Sequence, residues 1–133
     1  MSETKGSNGA PGGRYDVLLV DDADDLRLML RVNLEHTGRF KIVAEGTDGA
    51  EGIALAREHR PDLVLLDIAM PVQDGFEALP RIREAAPDAR IVILSSFEER
   101  RLGQKAAVLG ATAFLEKSMP PDKLVERLLE LMA

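Results

Sequence analysis

The stretch Asp16-Val17-Leu18-Leu19-Val20-Asp21-Asp22 decides the fold, because a short apolar run stops there on a pair of carboxylates. Three further runs repeat the pattern with different endings. Leu63-Val64-Leu65-Leu66 runs into Asp67, Ile91-Val92-Ile93-Leu94 into Ser95-Ser96, and Ala113-Phe114-Leu115-Glu116 into Lys117. Unbroken Val/Ile/Leu runs of this length read as parallel strands buried on both faces. Open α/β sheets bind their ligands beyond the carboxyl ends of such strands. Acids, a hydroxyl and an amine therefore converge on one edge of one sheet, and that edge is the predicted site.

Between the strands the sequence turns helical. Leu26, Met29, Leu30 and Leu34 recur at helical spacing within residues 23–36, and Gly38 supplies a C-terminal stop. Residues 40–45 read as a strand, and residues 48–59 as a helix weakened by Gly49 and Gly52 and stopped by Pro61. A helix over residues 76–86 contains Pro80, which removes one backbone hydrogen bond. Residues 98–109 read as a helix ending at Gly110, residues 112–115 as the last strand, and Pro120 or Pro121 opens a final helix reaching Met132. The order is (βα)5. It predicts one α/β domain with a doubly wound, five-stranded parallel sheet, helices on both faces and right-handed crossovers. A common strand order for such sheets, taken from other doubly wound proteins and not from these residues, is 2-1-3-4-5. In that order Asp21 and Asp22 face Asp67 across the point where the winding reverses.

A chain of 133 residues is enough for a single core. Residues 1–14 are rich in Gly, Ser, Asn and Pro and nearly lack apolar side chains, so they are expected to form a disordered tail before a domain of residues 15–133. The tail carries Lys5 and Arg14 against Glu3, so the formal charge of −6 becomes −7 for the domain. An acidic body argues against direct nucleic-acid binding. The absence of cysteine excludes disulfides and thiolate metal sites. No apolar run is long enough to span a membrane, and residues 1–14 have no secretory apolar core, so a cytoplasmic location is expected.

Asp21, Asp22 and Asp67 would repel one another unless a positive charge sits among them. Mg2+ suits such a set, since it takes oxygen ligands in near-octahedral geometry and keeps several waters. Each residue also has a plainer explanation when taken alone. Asp21, Asp22, Asp24 and Asp25 could cap a helix and offset its dipole, and Asp24 and Asp25 are assigned to that role and to solvent. Asp67 could serve a turn before Pro71, Ser95 could be a strand-end hydroxyl, and Lys117 a solvated lysine. Asp67 is the hardest to explain that way, because it ends a fully apolar strand. Four strand ends bearing acids, an acid, a hydroxyl and an amine make coincidence a poor account.

With Asp21-Asp22, Asp67, Met70-Pro71, Asp74-Gly75, Ser95, Phe114 and Lys117 in this order, the chain resembles the receiver domain of two-component response regulators over essentially its whole length after the tail. The separations fit as well: 45 residues from Asp22 to Asp67, 28 from Asp67 to Ser95, and 22 from Ser95 to Lys117. The resemblance implies a phosphoacceptor switch and not an enzyme with turnover. Asp67 would accept a phosphoryl group from a sensor histidine kinase or a phosphotransfer protein. Mg2+ would be held by Asp22, Asp67 and the backbone carbonyl of Ala69, with Asp21 acting through water. Lys117 and Ser95 would contact phosphoryl oxygens, and Ser95 with Phe114 would form the switch. Downstream, the output is expected to be another protein, a dimer or a module outside this chain, and the last helix offers one clue to a protein partner or homodimer. There, Leu124, Leu128 and Leu131 form one stripe and Val125, Leu129 and Met132 a second, together spanning about 160° of the helix. Packing on the sheet or an interface would both use such a face, and Leu26 and Met29 could likewise meet a kinase helix.

Four positions depart from the family's usual pattern. Phe114 stands where Tyr is commoner, Ser118 follows the lysine where a cis proline is usual, and Ala69 and Phe97 lie two residues beyond Asp67 and Ser95. A cis non-proline bond costs about 2.5–4 kcal/mol, so a trans bond is expected at Ser118. Neither Ala69 nor Phe97 orients an attacking water, so slow hydrolysis of the aspartyl phosphate is expected unless Gln73 reaches that water. The rival enzyme class is a haloacid-dehalogenase-like phosphohydrolase. It needs a second Asp two residues after the nucleophile as general acid, and position 69 is Ala. A flavodoxin-like protein would present a phosphate to Asp21–Asp25, which repels it, and the glycine fingerprint of a dinucleotide site is absent.

Overall fold

A computed structural model describes residues 13–68, 75–95 and 109–133. Among these residues the strands are β1 (Tyr15–Val20), β2 (Phe40–Gly46), β3 (Leu63–Asp67), β4 (Arg90–Ser95) and β5 (Ala113–Glu116). The helices are α1 (Asp24–His36), α2 (Gly49–His59), α3 (Gly75–Ala85) and α4 (Pro121–Met132). The strands form one parallel sheet in the order β2-β1-β3-β4-β5. The expected α/β class and strand order are thus found. The helix expected over residues 98–109 and most of the expected tail lie outside the described residues.

Strand alternation builds two apolar layers. Leu18, Val20, Val64, Leu66, Ile91 and Ile93 pack against Ala56 of α2 and Ala78, Leu79 and Ile82 of α3. Val17, Leu19, Leu63, Leu65, Val92 and Leu94 pack on the other face against Leu30 and Leu34 of α1 and Leu124, Leu128 and Met132 of α4. Since successive side chains of a strand point to opposite faces, unbroken apolar runs satisfy both layers. Both stripes of the last helix contribute to the second layer. Its fully covered set is Leu124, Leu128 and Met132, while Val125, Leu129 and Leu131 are partly buried.

Local chemistry explains the element ends, including two that differ from expectation. α1 has Ala23 at its N-cap and no side-chain cap, so Asp24 does not cap it; the Asp24 carboxylate pairs with Arg27 one turn on. α2 stops at Arg60, whose backbone is left-handed (φ 44°) and whose N–H donates to the Ala56 carbonyl; the helix has turned before Pro61 is reached. At the other end of α2, Asp48 accepts from the Glu51 N–H at 2.9 Å, and the Glu51 carboxylate accepts from the Thr47 N–H at 2.7 Å. Gly52, a helix-weakening residue by propensity, has a packing reason. A Cβ there would lie 3.1 Å from both methyl carbons of Val20, so the glycine lets α2 press onto the end of β1. Pro80 sits inside α3, as expected.

Candidate functional site

Register places the chemistry. Val20 pairs with Leu66, Asp67 with Leu94, and Ser95 with Glu116, so Asp21, Asp67, Ser95 and Lys117 come together at the carboxyl edge of the sheet. Backbone bonds extend the ladder past the strand ends. The Asp21 N–H donates to the Gly46 carbonyl at 3.0 Å, and the Lys117 N–H to the Ser95 carbonyl at 2.7 Å.

Alternation then sorts these residues by face. Asp21, Asp67 and Lys117 continue the series of Val17, Leu19, Leu63, Leu65, Ala113 and Leu115, which face α1 and α4. Ser95 and Phe114 continue the opposite series, and Phe114 packs, partly buried, with the α2–α3 layer. The lysine therefore meets both aspartates: its Nζ lies 3.2 Å from Asp21 Oδ2 and 3.1 Å from Asp67 Oδ2. The two carboxylate side chains are 3% and 1% exposed, and the lysine 28%. Asp22 is exposed, yet one carboxylate oxygen each of Asp21, Asp22 and Asp67 lies within 4.8 Å of the others.

Three carboxylates against one ammonium leave two negative charges uncompensated within the cluster. Burial works against the charge of Lys117, but Asp21 and Asp67 outweigh it and hold the ammonium's pKa above the ordinary lysine value. Lys117 is therefore charged at neutral pH. The remaining deficit and the all-oxygen donor set suit a divalent hard cation such as Mg2+. Asp21 is fixed from several sides: its Oδ1 accepts from the Ala23 N–H at 2.9 Å, and its carbonyl accepts from Arg27 Nη1 at 2.6 Å. The Ser95 hydroxyl is buried, and its oxygen has no hydrogen-bond partner among the described residues.

The expected site residues Asp21, Asp22, Asp67 and Lys117 are thus assembled, with Ser95 one strand away and Phe114 on its face. Ala69, whose carbonyl was expected to bind the cation, lies outside the described residues, as do Phe97 and Gln73. The peptide between Lys117 and Ser118 is trans, as expected. Arg27 and Glu45 escaped the sequence reading. The Asp24/Arg27 spacing hints at a helical ion pair, but nothing in the sequence signals a contact from Arg27 to a strand 18 residues later.

The profile of the response regulator receiver domain family matches residues 17–129. The chain is 37% identical over 112 residues to the chemotaxis protein CheY of Bacillus subtilis, covering 84% of this chain and 92% of that protein. A two-component response regulator of the LuxR family from Aurantimonas sp. SI85-9A1 superposes with a TM-score of 0.83 at 32% identity, covering 90% of this chain and 86% of that one. The CheX–CheY–BeF3–Mg2+ complex from Borrelia burgdorferi gives 0.81 at 28% identity, covering 90% of both chains. The chain belongs to the response regulator receiver domain family, a class of signalling domains in two-component systems. Among the described residues no helix is long and apolar enough to cross a membrane.

Proposed function

We propose that the protein is a phosphoacceptor switch in which Asp67 takes a phosphoryl group from a histidine kinase or phosphotransfer protein, and that the phosphorylated form binds its downstream partner differently. The observation that carries this reading is the placement of Asp67: a buried strand-end carboxylate, 3.1 Å from the Lys117 ammonium and within 4.8 Å of the Asp21 and Asp22 ligand oxygens. A carboxylate oxygen of Asp67 forms the new P–O bond while the P–N bond to the donor imidazole breaks, its electron pair staying on the ring nitrogen. A carboxylate is a weak nucleophile, so positioning and charge neutralisation are what the protein must supply. When bound, Mg2+ would draw negative charge from the phosphoryl oxygens. Asp22, Asp67 and the Ala69 carbonyl would hold it, with Asp21 acting through water. Lys117 neutralises a second phosphoryl oxygen.

The Ser95 hydroxyl supports a two-state response. Among the described residues this buried hydroxyl has no partner, and a phosphoryl oxygen on Asp67 would offer it one. A contact that exists only in the phosphorylated state shifts the equilibrium between states. Movement of Ser95 towards it would open space for Phe114, which has no hydroxyl to hold it outward.

The test is to treat the protein with acetyl phosphate and Mg2+, trap the acyl phosphate by borohydride reduction, and map the modified peptide. Modification at Asp67 supports the reading. A Mg2+-dependent adduct at any other carboxylate overturns it.

A further inference from the structure

Arg27 is the most heavily engaged side chain near the acid cluster that the proposed reaction does not use. It lies on the first turns of α1 with its side chain only 13% exposed. Its planar fork reaches three acceptors, one just past the end of β1, one on β2 and one on α1. Nη1 donates to the Asp21 carbonyl at 2.6 Å, Nε to Glu45 Oε1 of β2 at 3.0 Å, and Nη2 to the Asp24 carboxylate of α1. Glu45 is held in turn by Arg31, one turn further along α1.

We infer that Arg27 is a positioning residue for the divalent-cation site: braced by Glu45 and Asp24, it fixes the peptide between Asp21 and Asp22 and so aims both carboxylates. This inference rests on the function proposed above. A peptide unit is planar, so fixing the Asp21 carbonyl also fixes the Asp22 N–H and restricts the torsions on either side. Asp22 needs that restriction most. It is exposed, so packing does not hold its carboxylate, and the direction of its side chain is inherited from the main chain. Asp21 is pinned through its N–H to Gly46 and through its carbonyl, by way of Arg27, to Glu45. Both pins come from adjacent residues at the end of β2, so β2 sets the posture of the acid pair although it contributes no ligand.

Charge shows why the brace is built as it is. A lone guanidinium beside the acid cluster would repel the cation the cluster attracts. Here the two arginines, Arg27 and Arg31, are matched by two carboxylates, Asp24 and Glu45. The group delivers geometry with little net field. Lysine cannot replace the fork, since its ammonium is a point donor that does not reach three separated acceptors in one plane.

The experiment is Mg2+ titration by calorimetry of the parent, Arg27→Ala, Arg27→Lys and Arg83→Ala, with melting temperatures measured without metal. Arg83 is the control. Its guanidinium donates to the carbonyls of Pro87, Ala89 and Gly110, away from the acids, so its loss weakens the fold without touching the site. Arg27→Ala is expected to weaken Mg2+ binding roughly tenfold, on the scale of outer-shell partners of metal ligands. Arg27→Lys should recover only a minor part of that loss, and Arg83→Ala should lower the melting temperature with Mg2+ affinity unchanged. If Arg27→Ala does not fold, Glu45→Gln replaces it, and a severalfold weaker affinity is expected there. Parental affinity in the Arg27 or Glu45 variants overturns the inference alone, as does an equal loss in Arg83→Ala. A parent that binds no Mg2+ overturns the proposed function and this inference with it.

Discussion

Two buried aspartates flank the same strand, five residues apart, and their surroundings differ in kind. Asp62 precedes β3 at the amino edge of the sheet, and Asp67 ends it at the carboxyl edge. At Asp62 three hydrogen bonds join it to main-chain groups. Its Oδ2 accepts from the Asp16 N–H at 2.8 Å, its own N–H donates to the Asp16 carbonyl, and its carbonyl accepts from the Arg90 N–H. That arrangement ties β1, β3 and β4 together, and Tyr15 closes the same edge by donating to the Met132 carbonyl at 3.1 Å. At Asp67 the neighbours are two more carboxylates and one ammonium. Burial alone does not set Asp67 apart as the candidate phosphoacceptor. What marks it is that its neighbours are charged groups whose sum is unbalanced.

The largest effect should come from exchanging the roles of these two residues. Asp67→Asn should abolish the phosphate adduct formed with acetyl phosphate and Mg2+, whereas Asp62→Asn should keep it; intact-mass measurement decides. Asp62→Ala, which leaves the Asp16 N–H without its acceptor, should cost about 1–3 kcal/mol of stability in denaturant titration. An undiminished adduct on Asp67→Asn would break the contrast between the two edges.

Next in size is the cation. Asp22→Ala should weaken Mg2+ binding by more than roughly tenfold, and Asp21→Ala by less, because the proposed function makes Asp22 a direct ligand and Asp21 a ligand through water. Removing the exposed Asp22 carboxylate also removes a like charge. The metal-free variant should therefore melt at the parental temperature or above it. Parental Mg2+ affinity in Asp22→Ala would misplace the site.

A smaller and pH-dependent effect belongs to Lys117. Its folded pKa lies above the usual 10.5, so in the metal-free protein the ammonium's stabilising contribution is complete below about that pH. The contribution fades as pH rises through the higher folded value. The stability difference between the parent and Lys117→Met should accordingly be constant across neutral pH and shrink on the alkaline side. A difference that grows above that pH would show that the ammonium is not what offsets the two buried acids.

The smallest effect concerns lifetime. Ala69→Asn places a water-orienting amide two residues beyond Asp67 and should speed dephosphorylation with little change in the rate of phosphorylation. A phosphate-release time course checks it: equal rates in parent and variant would mean that Ala69 does not limit hydrolysis.

The strands and the chemistry at their ends were legible because one fact writes both. A parallel strand buried on two faces must be apolar throughout, so the first polar residue after it announces the edge. Asp67 and Ser95 stand out for that reason, whereas Lys117 follows Glu116 at the end of the half-buried edge strand β5 and is legible only through its place in the ordered set. Asp24 lies exposed in the first turn of α1 as expected, but the capping half of its reading fails, because the Arg27 fork takes the carboxylate instead. The reach of Arg27 to Glu45 could not be read at all, since it depends on how α1 lies beside β2 and leaves no periodic trace. Gly52 looked like a flaw in a helix until the methyl carbons of Val20 showed what it accommodates.

The sorting of the site by strand face makes it sensitive to the parity of changes in chain length. Deleting one residue inside β5 would carry Lys117 from the face it shares with Asp21 and Asp67 to the face of Ser95 and Phe114. Every side chain type would still be present, but the ammonium would no longer meet the two acids. Removing two residues preserves the face and shortens only the reach. For this sheet edge, insertions and deletions are therefore read as odd or even before they are read as large or small.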